Sequence, residues 1–125
     1  MNKWQSQQQF WESFGLPAYD ENTYFTKGER PAYPHITYQA ISGVMGQIAG
    51  VSASIWYKAT SWAEISQKAD YILKQASGGR VVRVEGGFFW FKVPELTPFA
   101  QRVDSGDEQI KRILISMEVE SLTAD

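Results

Sequence analysis

The segment 60–79 constrains the fold most, because its apolar residues recur at the spacing of an amphipathic helix. The sequence predicts a helix over about 61–76, in which Ser61 and Glu64 form a capping box that satisfies free backbone amides. Gly78 and Gly79 are expected to end this helix. Its predicted apolar stripe consists of Trp62, Ile65, Ala69, Ile72, Leu73 and Ala76. Such a stripe requires a second layer of structure to cover it.

Another helix is predicted near the N-terminus, over residues 2–14. Asn2 suits the N-cap position, and Gly15, followed closely by Pro17, is expected to stop the helix. Its apolar side is expected to consist of Trp4, Phe10, Trp11 and Phe14. The glutamine run 7–9 is interpreted as the solvated side of the same helix.

Five segments have the alternation of apolar and polar residues, or the β-branched and aromatic composition, that is typical of strands. They are residues 35–41, 51–57, 80–85, 88–93 and 110–120. Gly86 and Gly87 are predicted to form a two-residue hairpin turn of the primed type. The side chains expected to face inward from the last segment are Ile113, Ile115, Met117 and Val119.

The predicted order is helix, two strands, helix and three strands. It indicates an α+β fold with a mostly antiparallel or mixed β-sheet of about five strands, flanked by the N-terminal helix and the central helix. One domain is expected over residues 1–125, because domains typically contain about 100–150 residues. Residues 19–34 and 93–109 are expected to be long surface connections, and such loops often bind a partner.

The composition excludes several classes of function. The chain contains no cysteine, which excludes disulfides, thiolate metal sites and cysteine nucleophiles. Its formal net charge of −2 provides no general attraction to nucleic acid or anionic lipid. The N-terminal residues lack the apolar core of a signal peptide, and no apolar run is long enough to span a bilayer. We therefore expect a soluble protein that is made in the cytoplasm.

Residue patterns that indicate catalysis or cofactor binding are missing. His35 is the single histidine, so neither a catalytic triad nor a histidine-rich metal site is expected. Asp104, Asp107 and Glu108 cluster in one loop, but their spacing departs from that of a calcium-binding loop. The glycine-rich stretch 43–50 matches neither the dinucleotide nor the P-loop fingerprint. No catalytic residue, cofactor or metal is predicted, and the chain is not predicted to be an enzyme.

Aromatic residues are more numerous than a core of this size needs, with 5 Trp, 6 Tyr and 7 Phe. Because aromatic side chains are enriched at binding hot spots, this surplus predicts contacts with other subunits. An alternative is that the aromatic strand 88–93, with Arg80, Arg83 and Lys92 nearby, stacks the bases of a single-stranded nucleic acid. The acidic charge balance and the lack of a basic stripe favour subunit contacts.

Four stretches of the chain resemble a known group of proteins. They are PHITYQ at 34–39, SIWYKATSWAEISQKADYI at 54–72, TPFAQR at 97–102 and IKRILISMEVE at 110–120. Together they are similar to the tail terminator, or tail completion, proteins of long-tailed bacteriophages. The resemblance extends over nearly the whole chain, and this group has no catalytic signature.

The resemblance implies an α/β structural protein that forms a ring, usually a hexamer. Such a ring caps the growing tail tube, stops its polymerisation and presents a surface to the head completion or connector protein. The implied partners are therefore further copies of the chain, the tail tube protein and the head completion protein. The implied location is the head–tail junction of the virion, with no membrane and no sequence-specific nucleic acid as partner.

Six residues are predicted to lie in protein–protein interfaces, namely Val44, Met45, Ile48, Phe99, Arg102 and Arg112. The first three belong to the apolar tip of the hairpin between strands 35–41 and 51–57. Phe99 and Arg102 belong to the TPFAQR stretch. Arg102 and Arg112 are expected to pair with carboxylates of a neighbouring subunit, because arginine suits interface ion pairs.

Three alternatives stay open at this point. The chain could be a head–tail connector of the same junction, which would share the ring architecture. It could be a small nucleic-acid-binding module that uses the aromatic strand. It could also be a small enzyme or ligand-binding domain whose pocket the sequence does not reveal.

Overall fold

The structure is a computed structural model, and it describes residues 2–22, 31–42 and 46–123. Within these ranges the chain forms two helices and seven strands. In chain order they are α1 (Lys3–Glu12), β1 (Ala18–Asp20), β2 (His35–Tyr38), β3 (Ile48–Lys58), α2 (Ala63–Ala76), β4 (Arg80–Val84), β5 (Gly87–Lys92), β6 (Ala100–Val103) and β7 (Ile110–Thr123). Neither helix is long and apolar enough to cross a membrane.

Strand β7 organises the sheet, because it pairs with three other strands. One of its edges pairs with β3, from Ile48 opposite Glu120 to Lys58 opposite Ile110. The other edge pairs with β5 near the C-terminus of β7 and with β6 nearer its N-terminus. The full order is β1-β2-β3-β7-β5-β4, with β6 attached to β7. Only β1 and β2 are parallel among these pairs, so the predicted α+β fold with a mixed, mostly antiparallel sheet is confirmed.

The alternation of apolar and polar side chains along β7 shows which face of the sheet is buried against the helices. Its four predicted inward side chains are 1–3% exposed, so that prediction is confirmed; they are Ile113, Ile115, Met117 and Val119. Phe91 of β5 is opposite Val119 in the register, and Phe10 of α1 stacks on Phe91 with ring centroids 3.8 Å apart. We call this side of the sheet the helix face and the opposite side the second face.

Helix α2 packs on the same helix face. Four members of its predicted apolar stripe are fully buried in the core cluster, namely Ile65, Ala69, Ile72 and Ala76. Lys68 of α2 donates a hydrogen bond to the carbonyl of Phe14 at 3.1 Å, which links α2 to the segment that follows α1. Gly79 follows α2 with a φ of +89°, and the indole of Trp90 leaves no room for a Cβ there. The glycine pair therefore ends α2 as predicted.

Helix α1 bridges the two edges of the sheet, because the sheet curls until both β1 and β4 contact it. Ser6 is fully buried, and its hydroxyl donates to the carbonyl of Arg83 in β4 at 2.8 Å. Gln8 donates through Nε2 to the carbonyl of Ala18 in β1 at 2.6 Å. The hydroxyl of Tyr38 in β2 donates to Gln8 Oε1. Polar side chains thus attach α1 to strands on both sides.

The prediction that the glutamine run 7–9 is solvated is wrong for Gln7, which is 2% exposed. Its amide pairs with both backbone groups of Ile41, donating to the carbonyl and accepting from the amide, each at 2.8 Å. The amide therefore acts as one residue of an additional strand next to the end of β2. Only Gln9 is exposed in this run.

The predicted apolar side of α1 is partly wrong, because Trp4 is 48% exposed. Ser6 and Gln7 occupy the side of the helix that faces the strands, and Trp4 lies outside it. The other three predicted residues are buried, namely Phe10, Trp11 and Phe14. Asn2 is the N-cap as predicted, and it forms a capping box with Gln5.

The capping box predicted at Ser61 and Glu64 is wrong. Helix α2 begins at Ala63, and its N-cap residue Trp62 makes no side-chain capping bond. The Ser61 hydroxyl instead accepts a hydrogen bond from the Ala63 amide at 3.0 Å. The Ser61 hydroxyl is therefore engaged in a local turn that precedes the helix, and such short-range hydrogen bonds compete with capping.

The hairpin turn between β4 and β5 also differs from the prediction. Val84 pairs with Gly87, so the loop residues are Glu85 and Gly86 instead of Gly86 and Gly87. Gly86 has a φ of +78°, and Glu85 does not have a positive φ. Primed turns require a positive φ at the first loop residue, so the turn is not of the primed type.

Strand β1 overlaps the start of one of the segments predicted to be surface connections, and β6 lies inside the other. They contain three and four residues, which is too short to produce a recognisable alternation. They bring the sheet from the predicted five strands to seven within the described ranges.

Gln7 offers a direct test of the attachment of α1. Replacing Gln7→Leu leaves the amide and carbonyl of Ile41 without partners, so we expect the free energy of unfolding to fall by about 2–4 kcal/mol. Urea unfolding followed by tryptophan fluorescence measures the change. The control Gln9→Leu alters an exposed neighbour and is expected to stay within roughly 0.5 kcal/mol of the parent chain. Equal effects of the two substitutions would contradict this account.

Candidate interaction surface

The residues predicted to lie in interfaces do not form one patch. Val44 and Met45 lie outside the described residues. Ile48 is the first residue of β3, and its side chain is 57% exposed. It lies opposite Glu120, and the alternation of β7 assigns it to the second face. The exposure of Ile48 is what an interface residue requires, and its role stays a prediction.

Arg102 belongs to β6 and lies opposite Ile113, which assigns it to the helix face. Its guanidinium is 5.0 Å from the ring centroid of Trp62, and its Nη2 is 3.4 Å from the Ser66 hydroxyl of α2. The ammonium of Lys111 lies 5.5 Å from the same indole. Two cations therefore interact with Trp62, an arrangement that stabilises both partners. Within the subunit, Arg102 joins β6 to α2.

Arg112 lies on the second face, so the structure does not bring the two predicted arginines together. Its guanidinium is 5.0 Å from the ring centroid of Trp56, its register partner in β3. Its Nε donates to the Ser54 hydroxyl at 3.0 Å, and Trp56 Nε1 donates to the Thr37 hydroxyl at 2.8 Å. These hydrogen bonds fix a row of polar and aromatic side chains across β2, β3 and β7. The predicted ion pairs between subunits stay predictions for both arginines.

His35 extends the same row into β2 and is only 2% exposed. Its ring is stacked with Trp56, with centroids 6.2 Å apart and planes 13° apart, and it lies 5.1 Å from Tyr33. Its Nδ1 is 3.2 Å from the carbonyl of Ala32. Burial lowers the pKa of His35, and the Ala32 contact opposes this shift only in part. The neutral ring is therefore part of the packing of β2 against β3.

The aromatic strand β5 divides its side chains between the two faces. Phe89 and Phe91 belong to the core, whereas Phe88 and Trp90 lie half-buried on the second face. The Lys92 ammonium is 4.1 Å from the Trp90 centroid and 3.0 Å from the Glu120 carboxylate. The base-stacking alternative requires cations that face a phosphate backbone. Lys92 is instead paired with a carboxylate of its own sheet.

In the acidic loop before β7, two carboxylates accept hydrogen bonds from backbone amides of the same loop. Asp104 accepts a hydrogen bond from the Gly106 amide at 2.8 Å, and Asp107 accepts one from the Gln109 amide at 2.9 Å. Across residues 2–22, 31–42 and 46–123, no group of three or more histidine, aspartate or glutamate side chains converges as metal ligands do.

Residues 93–99 leave the sheet between β5 and β6, which follow one another along the same edge of β7. Lys92 is the last β5 residue paired with β7, and Ala100 is the first in β6. Phe99 packs partly buried against the core, and its carbonyl accepts a hydrogen bond from the Ser116 amide at 2.8 Å. Leu96 lies in the middle of this excursion with 97% of its side chain exposed. We call residues 93–99 the excursion loop.

A groove runs between the excursion loop and β3. It has a volume of about 450 Å³, and its lining includes Pro94 and Thr97 from the loop, Ile48 and Ser52 from β3, and Glu118 from β7. The structure therefore brings two of the predicted interface elements together, namely Ile48 and the start of the TPFAQR stretch.

Comparisons of the chain with protein families, with characterised proteins and with solved structures find no match. The function is therefore inferred from the chemistry of this surface and from the resemblance of the sequence.

Leu96 is the surface residue that the sequence reasoning missed. A usable signal was present, because Pro94 and Pro98 flank it. Proline lacks the backbone amide that a central strand needs, so two prolines around one leucine indicate a segment outside the sheet. An apolar residue at the tip of such a segment indicates a contact point.

The lowered pKa of His35 predicts a pH-dependent stability. Unfolded histidine binds a proton as the pH falls below about 6.5, whereas the buried ring resists protonation. The contribution of the neutral His35 to the free energy of unfolding is therefore fully present above pH 6.5. It decreases as the pH falls towards the folded pKa, by at most about 1.4 kcal/mol per pH unit. Urea unfolding between pH 8 and 5 measures this slope. The variant His35→Phe keeps an aromatic ring and is expected to flatten the profile in this range. If the stability of His35→Phe and of the parent chain changed with pH in the same way, a group other than His35 would be responsible for the pH dependence.

Proposed function

We propose that this chain is a ring-forming structural subunit that caps the tail tube of a long-tailed phage, as a tail terminator protein does. The observation that carries the proposal is the exposure of Leu96 at the tip of the excursion loop. Full burial of a leucine side chain contributes roughly 1.5–3 kcal/mol, and a contact with another subunit would supply that burial. The resemblance of four sequence stretches supports the tail terminator kind of ring.

The distribution of other exposed apolar residues supports a ring over a closed pair of subunits. Trp4 on α1 is 48% exposed, Ile48 on β3 is 57% exposed and Val81 on β4 is 63% exposed. Ile48 and Val81 lie in one row across the second face, because the register runs from Ile48 through Glu120 and Trp90 to Val81. Trp4 lies on α1, on the other side of the sheet, so exposed apolar residues are found on both sides. A twofold dimer uses one self-complementary patch, whereas a ring subunit contacts its two neighbours through two different patches.

The protected edges of the sheet also suit a subunit that ends a polymer. An unprotected edge strand recruits further strands and promotes open-ended assembly. The edge strand β4 is bonded through its Arg83 carbonyl to Ser6 of α1. The opposite edge strand β1 is only three residues long and is bonded to Gln8 of the same helix. Attachment of these two edges to α1 favours assembly through side-chain surfaces and hence an assembly of fixed size, although β6 pairs on one side only, with β7.

The proposal assigns no chemical step to the chain. A terminator acts by occupying the end of the tube and by presenting a different surface to the head side. The rigid row of His35, Trp56 and Arg112 fixes the shape of the second face, and shape is what such contacts require.

Electron microscopy of phage particles tests the role, using a phage in which this gene carries an early stop codon. We expect overlong or unjoined tails beside tailless heads filled with DNA, because nothing would end tube polymerisation. Supplying the intact gene from a plasmid is the control, and it should restore joined particles of normal length.

Two other outcomes have distinct meanings. Heads and tails of normal length that fail to join would identify a connector at the same junction instead of a terminator. Normal infectious particles would reject a structural role at this junction altogether.

A further inference from the structure

The two ends of strand β5 carry features that complement one another. The excursion loop follows its C-terminal end, and a cavity lies beside its N-terminal end, at the hairpin that joins β4 to β5. We propose that the excursion loop of one subunit inserts Leu96 into this cavity of the next subunit. The inference rests on the proposed ring, and it names the residues through which neighbouring subunits would bind.

The inserting element is Leu96 with its neighbours in the excursion loop. The loop leaves the sheet at one end of the ladder between β5 and β7 and returns at the start of the ladder between β6 and β7. Pro94 and Pro98 restrict the backbone on both sides of the leucine. A restricted loop loses little conformational freedom when it binds, so it suits insertion into a pocket. Glu95, also exposed, is the one charged residue of the loop.

The receiving cavity, which we call the socket, has a volume of about 210 Å³. Its apolar lining includes Val84, Phe88, Phe89 and Leu122. A buried cavity of about 150 Å³ holds a benzene molecule, and a leucine side chain has two fewer carbon atoms. The socket therefore has both the size and the apolar character that Leu96 requires.

An unsatisfied polar group in the socket points to a missing partner. Ser121 lines the socket and is 6% exposed. Its hydroxyl oxygen is buried and has no hydrogen-bond partner in the part of the chain that the structure describes. Buried polar groups of folded proteins are almost always paired. Rotation of the Ser121 side chain about its Cα–Cβ bond would present the hydroxyl to the backbone or the Thr97 hydroxyl of an inserted excursion loop.

One pair of opposite charges can form between the two sites. Lys3 of α1 lines the socket, and its ammonium bonds to the Ser42 hydroxyl at 2.6 Å. Among the described residues, the ion pair that is found joins Lys92 to Glu120, and Lys3 forms none with a carboxylate. Glu85, on the hairpin turn, also lines the socket, which therefore carries one charge of each sign. An inserted Leu96 brings Glu95 to the socket, where Lys3 is the cation available to it.

The separation of the two sites indicates that the contact joins different subunits. Strand β5 has six residues, which places its ends roughly 17 Å apart at about 3.3 Å per residue. A subunit cannot fill its own socket across that distance with a loop anchored at Lys92. Leu96 must therefore enter the socket of a different subunit. In the proposed ring this contact is heterologous, and it leaves a free loop at one end and a free socket at the other until the ring closes.

Charge reversal tests the contact in the intact chain. Glu95→Lys and Lys3→Glu each place like charges together in a homogeneous assembly, and we expect each to raise the dissociation constant roughly three- to tenfold. The double variant restores the opposite charges and should bind as the parent chain does. An equimolar mixture of the two single variants should also assemble, because every contact between unlike chains then joins opposite charges. Sedimentation velocity over a range of concentrations measures all four samples.

Removal of the leucine tests the socket independently of charge. Leu96→Ser alters a fully exposed side chain, so folding should be unchanged, and we expect the dissociation constant to rise at least roughly tenfold. Tyr71→Ser is the control, because Tyr71 of α2 is exposed and belongs to neither site. Circular dichroism confirms that all variants are folded.

Several results would overturn the inference. They are a parent chain that stays monomeric at all concentrations, a normal assembly of Leu96→Ser, or single reversal variants whose mixture assembles no better than either alone. If Leu96→Ser assembles normally while the stop-codon phage makes overlong tails, the socket is wrong and the terminator role stands. If the charge reversals behave as expected while the phage particles are normal, the contact stands and the terminator role fails.

Discussion

Helix α1 is held between the two edges of a curled sheet, and the rest of the fold depends on that attachment. Phe10 stacks on Phe91 at a centroid distance of 3.8 Å, while Ser6, Gln7 and Gln8 bond to backbone groups on both sides. The helix thus supplies apolar burial and satisfies strand ends that would otherwise be unpaired. Because these contacts span from β4 to β1, loss of the helix would open the core and expose both edges together.

The second face shows how a surface rich in cations and aromatic rings remains internally satisfied. Arg112 binds Ser54 and lies over Trp56, while Lys92 lies over Trp90 and pairs with Glu120. Charges engaged in this way contribute to the shape of the sheet and are poorly placed to attract a nucleic acid. The exposed excursion loop is the contrasting feature, because its leucine has no partner surface within the described part of the subunit.

Local periodicity made much of the fold predictable. The apolar stripe of α2, the inward side chains of β7 and the hairpin between β4 and β5 all follow from spacings within a few residues. The burial of Gln7 could not be predicted, because its partner Ile41 is distant in sequence and a run of glutamines usually indicates a solvent-exposed segment. The capping box predicted at Ser61 was wrong for the opposite reason, because a local hydrogen bond from the Ala63 amide, two residues away, replaced the expected cap. Ile48 is exposed, but it belongs to β3 instead of the hairpin tip in which it was predicted, because the strand begins three residues earlier than its alternation indicates. Leu96 was overlooked because no periodic pattern includes it.

The position of the excursion loop has a consequence for how such a chain can diverge. Strands β5 and β6 are each anchored to β7, so the sheet keeps its register whatever joins them. Val93 and Phe99 pack against the core, but the length and sequence of residues 94–98 between them can vary with little effect on it. If subunits bind through this loop as proposed, changes in the loop alone would alter which subunits bind each other. A foreign peptide or a fluorescent label inserted there would be displayed on the surface of an otherwise unchanged scaffold.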